Sequence, residues 1–261
     1  MRRFVAIAVL AGCLPAFSWG PEGHNLVARL AEARLTSEAR ARVAAILGPN
    51  TSLASISSWP DQIRRARPET APWHYIDIPI DKPRLDMARD CPKGDCVLAK
   101  IEDFRKALRD PAITAEQRKE ALMFLVHFIG DMHQPLHCSD NKDKGGNGVQ
   151  TQFFGKPMNL HSVWDGGLLG RMGAEDQLFA AFSKDLTPGR TKKLSQGTVS
   201  DWAEQSHKSS QKIVYGKLAK VAAGTPVPIS EAYEKAADPL IKEQLEKAGA
   251  RLAQMLNAAL Q

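Results

Sequence analysis

Along most of this chain apolar residues recur every three or four positions, the spacing that gathers them on one face of a helix. Residues 23–35 follow it, and Thr36 with Ser37 can cap a second helix that runs through Leu47 and stops at Gly48 and Pro49. Residues 54–67 carry a similar pattern with Pro60 inside it, and 97–108 another that runs into Asp110 and Pro111. Thr114, backed by Glu116 and Gln117, caps a strongly apolar helix over 121–132 that Pro135 stops. Further helices are expected at 175–186, 192–215 and 230–260. Strand-like stretches are few: 75–80, and 150–154 after a polar, glycine-rich loop at 139–148. No internal repeat, low-complexity tract or linker divides the chain. The expected fold is all-α, a single compact multi-helix domain with at most a small β-hairpin.

Composition narrows the class without choosing a function. At 43% hydrophobic and 25% charged residues over 261 positions, collagen-like, coiled-coil and wholly disordered chains are excluded. The formal charge of +6 is compatible with an anionic partner, a nucleic acid or a phospholipid surface, and does not single one out. The first eighteen residues read as a signal peptide. Arg2 and Arg3 open it, 4–12 is apolar but too short to span a bilayer, and Ala16 and Ser18 put small residues at −3 and −1 of a cleavage site. Cleavage there makes Trp19 the new N-terminus of a domain covering 19–261. Loss of Arg2 and Arg3 lowers the formal charge from +6 to +4. A rival reading takes Leu10, Ala11, Gly12 and Cys13 as a lipobox. No later stretch is apolar for long enough to span a membrane, so a secreted or periplasmic protein is expected.

Export also bears on the cysteines. Cys13 leaves with the leader, and Cys91 and Cys96 can close a short disulfide in an oxidising compartment, leaving Cys138 unpaired. A zinc ribbon, the alternative for that pair, would need two more thiols or histidines at knuckle spacing, and none stands nearby.

Candidate chemistry concentrates in histidine and aspartate spacing. His127 precedes Asp131, and His161 precedes Asp165, each by four positions. On a helix, i and i+4 share a face with Cβ atoms ~5–6 Å apart, so an imidazole and a carboxylate can reach one cation. A surface ion pair or a helix-face hydrogen bond explains a single such pair equally well. Company changes the picture. His137 follows just beyond Pro135, while Asp61 and His74 stand beside Trp59 and Trp73. Imidazole with carboxylate and no thiolate suits catalytic zinc. The new N-terminus adds a further donor, because a free α-amino group and the carbonyl of Trp19 can chelate a metal, with His24 closing from the next turn. An uncleaved chain lacks that donor, since its Trp19 nitrogen is an amide. Other residues draw plainer readings: His133 as an outer-shell or surface histidine, His207 as solvated, Trp59 and Trp202 as core.

Taken together, Trp19 with His24, Ser58 to Asp61, Trp73 with His74, His127 to His137, Gly145 to Asn147, and Asn159 to Asp165 resemble the motif set of the single-strand-specific type I nucleases. These are trinuclear zinc enzymes sharing their fold with bacterial zinc phospholipase C. The resemblance spans essentially all of 19–261. It implies three Zn2+ ions: one on Asp61, His74, His127 and Asp131; a second on the amino and carbonyl groups of Trp19, His24 and the shared Asp131; a third, more exposed, on His137, His161 and Asp165. It implies hydrolysis of phosphodiesters in single-stranded DNA and RNA to 5′-phosphates by a zinc-bound hydroxide, with nucleotides also as substrates. Arg64 matches a family arginine, implied to meet the charge of the transition state or to orient Asp61. Tyr75, Asp77 and Asn147 match the base pocket, where an aromatic face stacks on an unpaired base. Tyr75 stands where fungal members often have phenylalanine. A monomer with no stable protein partner is expected. Two alternatives remain: a phospholipase C, which typically has glutamate where Asp165 stands, and a zinc-binding protein without activity, which leaves Arg64 and the base pocket unexplained.

Overall fold

The helix at the centre of the molecule begins as its sequence requires. Thr114 accepts a hydrogen bond from the Gln117 amide at 3.2 Å, and the Gln117 side chain answers by accepting from the Thr114 amide at 2.9 Å. Described as a computed structural model over residues 19–261, the chain places the expected signal peptide and lipobox outside the described residues.

Helix α1 spans Gly20–Glu32, α2 Ser37–Leu47, α3 Leu53–Ile56, α4 Trp59–Ile63, α5 Met87–Asp90, α6 Val97–Arg109 and α7 Ala115–Met132. Strands β1 (Gln150–Phe153) and β2 (Lys156–Asn159) form a hairpin. There follow α8 (Leu160–Ser162), continued as a π turn over Val163–Gly167, then α9 (Leu168–Met172), α10 (Glu175–Asp185), α11 (Pro188–Leu194), α12 (Val199–Ser209), β3 (Val227–Ile229) and α13 (Glu231–Ala259). The mostly helical expectation holds. Among the described residues no helix is long and apolar enough to cross a membrane.

From Ala121 to Met132 every residue of α7 is buried, so this helix is wrapped on all sides rather than amphipathic. Phe124 and Phe128 meet Phe104 of α6, and Trp59 and Trp73 close over Phe124 edge-on. On another side α1 lies along α13 so closely that a Cβ on Gly249 would stand 2.6 Å from the Leu30 Cβ. Glycine there is a packing requirement. Cys91 and Cys96 are joined, and Cys138 is free and buried.

Several expectations are corrected. The helix expected over 192–215 is broken: Gly197 takes φ +97°, and Thr198 with Asp201 starts α12 afresh through a reciprocal cap. The helix expected over 54–67 divides at Ser57 and Ser58, with Pro60 in the first turn of the second piece. The stretch 75–80 is extended but joins no strand. Its one bridge is Pro79 with Asp140, and backbone bonds from Ile76 to the His137 carbonyl and from Ile80 to the Asp140 carbonyl hold it. The hairpin gains a third strand, β3, parallel to β1. Three residues between Pro226 and Ser230 are too few to show a period.

Candidate metal centre and cleft

The break between α3 and α4 leaves the Ser57 carbonyl free to accept from Nδ1 of His127 at 2.7 Å. With that nitrogen donating, the neutral ring has a lone pair on Nε2, and this atom faces Nδ1 of His74 at 3.1 Å and Oδ1 of Asp131 at 3.3 Å. Oδ1 of Asp61 stands 3.7 Å away. His74 Nδ1 lies 2.9 Å from Asp131 Oδ2 and 3.8 Å from Asp61 Oδ1. His24, one turn into α1, stacks flat on His127 with centroids 3.9 Å apart and reaches Asp131 Oδ1 at 3.3 Å. Gly130 permits this, since a Cβ there would stand 2.7 Å from His24 Nδ1.

A second focus lies where the segments after α7 and β2 meet. His137 Nδ1 donates to the His74 carbonyl at 2.7 Å, and His161 Nδ1 donates to the Gly145 carbonyl at 2.6 Å. Their Nε2 atoms then face each other at 3.2 Å with lone pairs converging, and Asp165 Oδ2 stands 3.4 Å from His161 Nε2. Gly145 is needed for this approach. Its φ is +60°, and a Cβ would meet the Leu136 carbonyl oxygen at 2.8 Å.

Three groups therefore bring their donor atoms within 4.8 Å of one another: His24, His127 and Asp131; Asp61, His74 and His127; His137, His161 and Asp165. All are buried. Both ring nitrogens of His24, Nε2 of His74, Oδ1 of Asp131 and Oδ2 of Asp165 lack a hydrogen-bond partner. Buried polar atoms left in this way are costly, and convergent lone pairs with carboxylates are what a divalent cation takes as ligands. The residues present fit a metal, and the nitrogen and oxygen donor set suits zinc.

Electrostatics agree with that fit. Burial lowers the His127 and His161 imidazoles and brings His137 down to about 3, so the rings stay neutral and able to donate lone pairs. Burial works to raise the Asp131 carboxyl, but His127, His24 and His74 hold it well below the usual carboxylate range. Asp61 and Asp165 are raised, chiefly by burial.

Beside these groups opens a cleft of about 400 Å³, lined by Arg64, Tyr75, Asp77, Lys144, Asn147 and the edges of the histidines. Arg64 Nη1 stands 3.4 Å from Asp61 Oδ1. Tyr75 is exposed, its carbonyl tied to the Val97 amide at 3.0 Å. Enclosure by the cleft walls, with the charges of Asp140 and Asp90, pushes the Asp77 carboxyl up to about 6, although the residue keeps solvent access. Asn147 donates to the Lys144 carbonyl at 2.9 Å.

The structure thus brings together all the singled-out histidines and aspartates, and sets Arg64, Tyr75, Asp77 and Asn147 around one opening. Trp19 caps the start of α1, fully buried, with φ 22° and its carbonyl accepting from the Gly23 amide at 3.1 Å. His207 is a correction. Expected to be solvated, it is buried, donating to the Lys82 carbonyl and accepting from the Ser139 hydroxyl, both at 2.7 Å. Four neighbours along α12, Val199, Trp202, Ala203 and Ser206, share its buried face, a pattern that was readable at helical spacing. His133 is buried away from the cation groups, donating to the Ile129 carbonyl and accepting from Arg251 at 2.7 Å. Gln134 and Lys144 were missed, because neither residue type carries a spacing signal.

Comparison with known proteins places this arrangement. The family model described as S1/P1 Nuclease matches residues 19–261. Endonuclease 4 of Arabidopsis thaliana is 30% identical over 93% of this chain and 89% of that protein. Nuclease S1 of Aspergillus oryzae is 28% identical over 97% and 96%. Nuclease P1 of Penicillium citrinum reaches 40%, over 56% and 57%. With the family model running the length of the described residues, the chain belongs to the S1/P1 nucleases, and it is a hydrolase of phosphodiester bonds in nucleic acid.

Proposed function

We propose that this nuclease is a zinc-dependent endonuclease of single-stranded DNA and RNA that releases 5′-phosphate products and also dephosphorylates 3′-nucleotides. The observation that carries the proposal is the cluster of three buried donor groups, of which His74, His137 and His161 line an open cleft that also holds an exposed aromatic ring.

In this reading Asp61, His74, His127 and Asp131 hold one ion, His24 and Asp131 with the amino and carbonyl groups of Trp19 a second, and His137, His161 and Asp165 a third. Such ions, when bound, supply Lewis acidity that activates water near neutral pH and offsets charge on phosphate oxygens. The chain does the rest. His127, His137 and His161, each pinned through its outer nitrogen, and His24, held by stacking, keep their ring nitrogens aimed inward. Arg64 reaches the phosphate from the cleft wall, where its guanidinium meets charge developing on the oxygens. Tyr75 stacks on a base at ~1–3 kcal/mol, and Asp77 above its pKa accepts from an N–H on the base edge. Asn147, its amide nitrogen committed to the Lys144 carbonyl, turns its oxygen to the same task. Bases in a duplex are not available for stacking, which is the physical ground for single-strand preference.

The same reading makes the protein an exported one, processed after Ser18, because only cleavage there frees the Trp19 amine. Two experiments test the proposal. Protein loaded with zinc is offered single-stranded DNA, duplex DNA, RNA, a 3′-nucleotide and phosphatidylcholine, and nucleotide, phosphate and phosphocholine release are compared. Cleavage of the single strands and the 3′-nucleotide, restored by zinc after chelation, is expected. Release of phosphocholine alone, or activity indifferent to chelation, refutes it. One alanine added before a mature Trp19 turns the amine into an amide and is expected to cut zinc content and rate together; an unchanged enzyme rules out the N-terminal donor.

A further inference from the structure

Asp165 differs from Asp131 in that a residue outside the three donor groups holds one of its oxygens. Oδ1 accepts from Nε2 of Gln134 at 2.7 Å, while Oδ2, equally buried, has no hydrogen-bond partner and stands 3.4 Å from His161 Nε2. Gln134 is itself fully buried. Its amide has one possible orientation, because Oε1 accepts from the Leu136 backbone amide at 2.6 Å and so leaves Nε2 as the end that faces Asp165. Gln134 also directly precedes the short 3-10 turn Pro135–Cys138 that carries His137. One side chain therefore ties the segment bearing His137 to the segment bearing His161 and Asp165.

We propose that Gln134 is a positioning residue for the third donor group. Its amide occupies one oxygen of Asp165 and so presents the other, alone, to the cation shared with His137 and His161. A buried carboxylate with both oxygens free could turn about χ2 and bind through either oxygen or both, which would move the cation relative to the two imidazoles. Groups that orient ligands in this way are worth ~10–100-fold in metal affinity. The inference rests on reading this group as a zinc site.

The test uses zinc titration of the mature protein against a chromophoric chelator, with elemental analysis and the melting temperature of the metal-free protein as companions. Gln134→Glu keeps an oxygen for the Leu136 amide but replaces the donor facing Asp165 with an acceptor; Gln134→Met removes both bonds at similar volume. Both variants are expected to bind one of three ions ~10–100-fold more weakly, with the other two unaffected. If Gln134→Met fails to fold, Gln134→Glu decides, because its retained bond preserves the turn. Three ions held as tightly as in the unsubstituted protein would overturn the proposal, as would a loss spread evenly over all three. An unsubstituted protein that binds no third ion removes the zinc reading of this group, and the positioning role falls with it.

Discussion

Replacing Gly130 with alanine probes how tightly the donor groups are held. Gly130 lies in the last turn of α7, directly before Asp131, and helix propensity alone predicts that alanine there stabilises by ~1 kcal/mol. Packing opposes this. The added Cβ would sit 2.7 Å from Nδ1 and 2.9 Å from Cε1 of His24, against the 3.4 Å where ordinary contact begins, so the ring must retreat by about 0.7 Å. Retreat is obstructed, because the His24 ring is already stacked on His127 at 3.9 Å and both side chains are fully buried. Overpacking of this kind costs ~1–3 kcal/mol, which leaves a net destabilisation of ~0–2 kcal/mol and an intact fold. Function suffers far more, since a displacement approaching 1 Å at a reacting centre is worth ~10²-fold in rate. Gly130→Ala is therefore expected to melt within a few degrees of the unsubstituted protein, to lose the ion held through His24, and to hydrolyse single-stranded DNA about 10²-fold more slowly. Melting curves, elemental analysis and steady-state kinetics on one preparation check it. Full zinc content with an unchanged rate would show that His24 is not confined as its geometry implies.

Asp131→Asn removes the carboxylate that stands between His24, His74 and His127, and elemental analysis should find the two ions nearest it missing and hydrolysis abolished; retention of three ions contradicts a shared ligand. Arg64→Ala should lower kcat by ~10²–10³-fold with zinc content unchanged if the guanidinium meets the phosphate, whereas loss of zinc at Asp61 would assign it to orienting that ligand. The raised pKa of Asp77, about 6, sets a sign: the carboxyl is ionised and accepts from the base above pH 6, and becomes protonated below it. KM for a nucleotide substrate should accordingly rise as pH falls from 7 to 5, and Asp77→Asn should remove that part of the dependence; parallel profiles for both proteins would exclude Asp77 from base binding.

Much of this was legible because the signals are local. The cap at Thr114, the apolar run that follows and the four-residue spacing of His127 and Asp131 each need only one helix to be read. Motif order carried the rest of the donor set, since nothing in the spacing of His24, His74 and His137 shows that three distant segments converge. What failed depended on tertiary context. The break at Gly197 trades helix continuity for a conformation open mainly to glycine. The buried setting of His207 exists because the extended stretch 75–80 and the turn after it draw side chains from α12 and from just beyond its end to their carbonyls, His207 to Lys82 and Gln211 to Ile80 and Lys82. Gln134 has no signature at all, because a glutamine becomes informative only when both ends of its amide have found partners.

The close seam between Leu30 and Gly249 has a temporal meaning. Every side chain proposed to bind metal has been translated by position 165, yet the face of α13 that α1 packs against is not made until the ribosome has added more than eighty further residues. At ~5–20 residues per second that interval lasts several seconds, during which α1, the helix that carries His24, has its neighbours α3 and α7 but not α13. A nascent or prematurely ended chain thus holds the full complement of donors before α1 is held on all its sides.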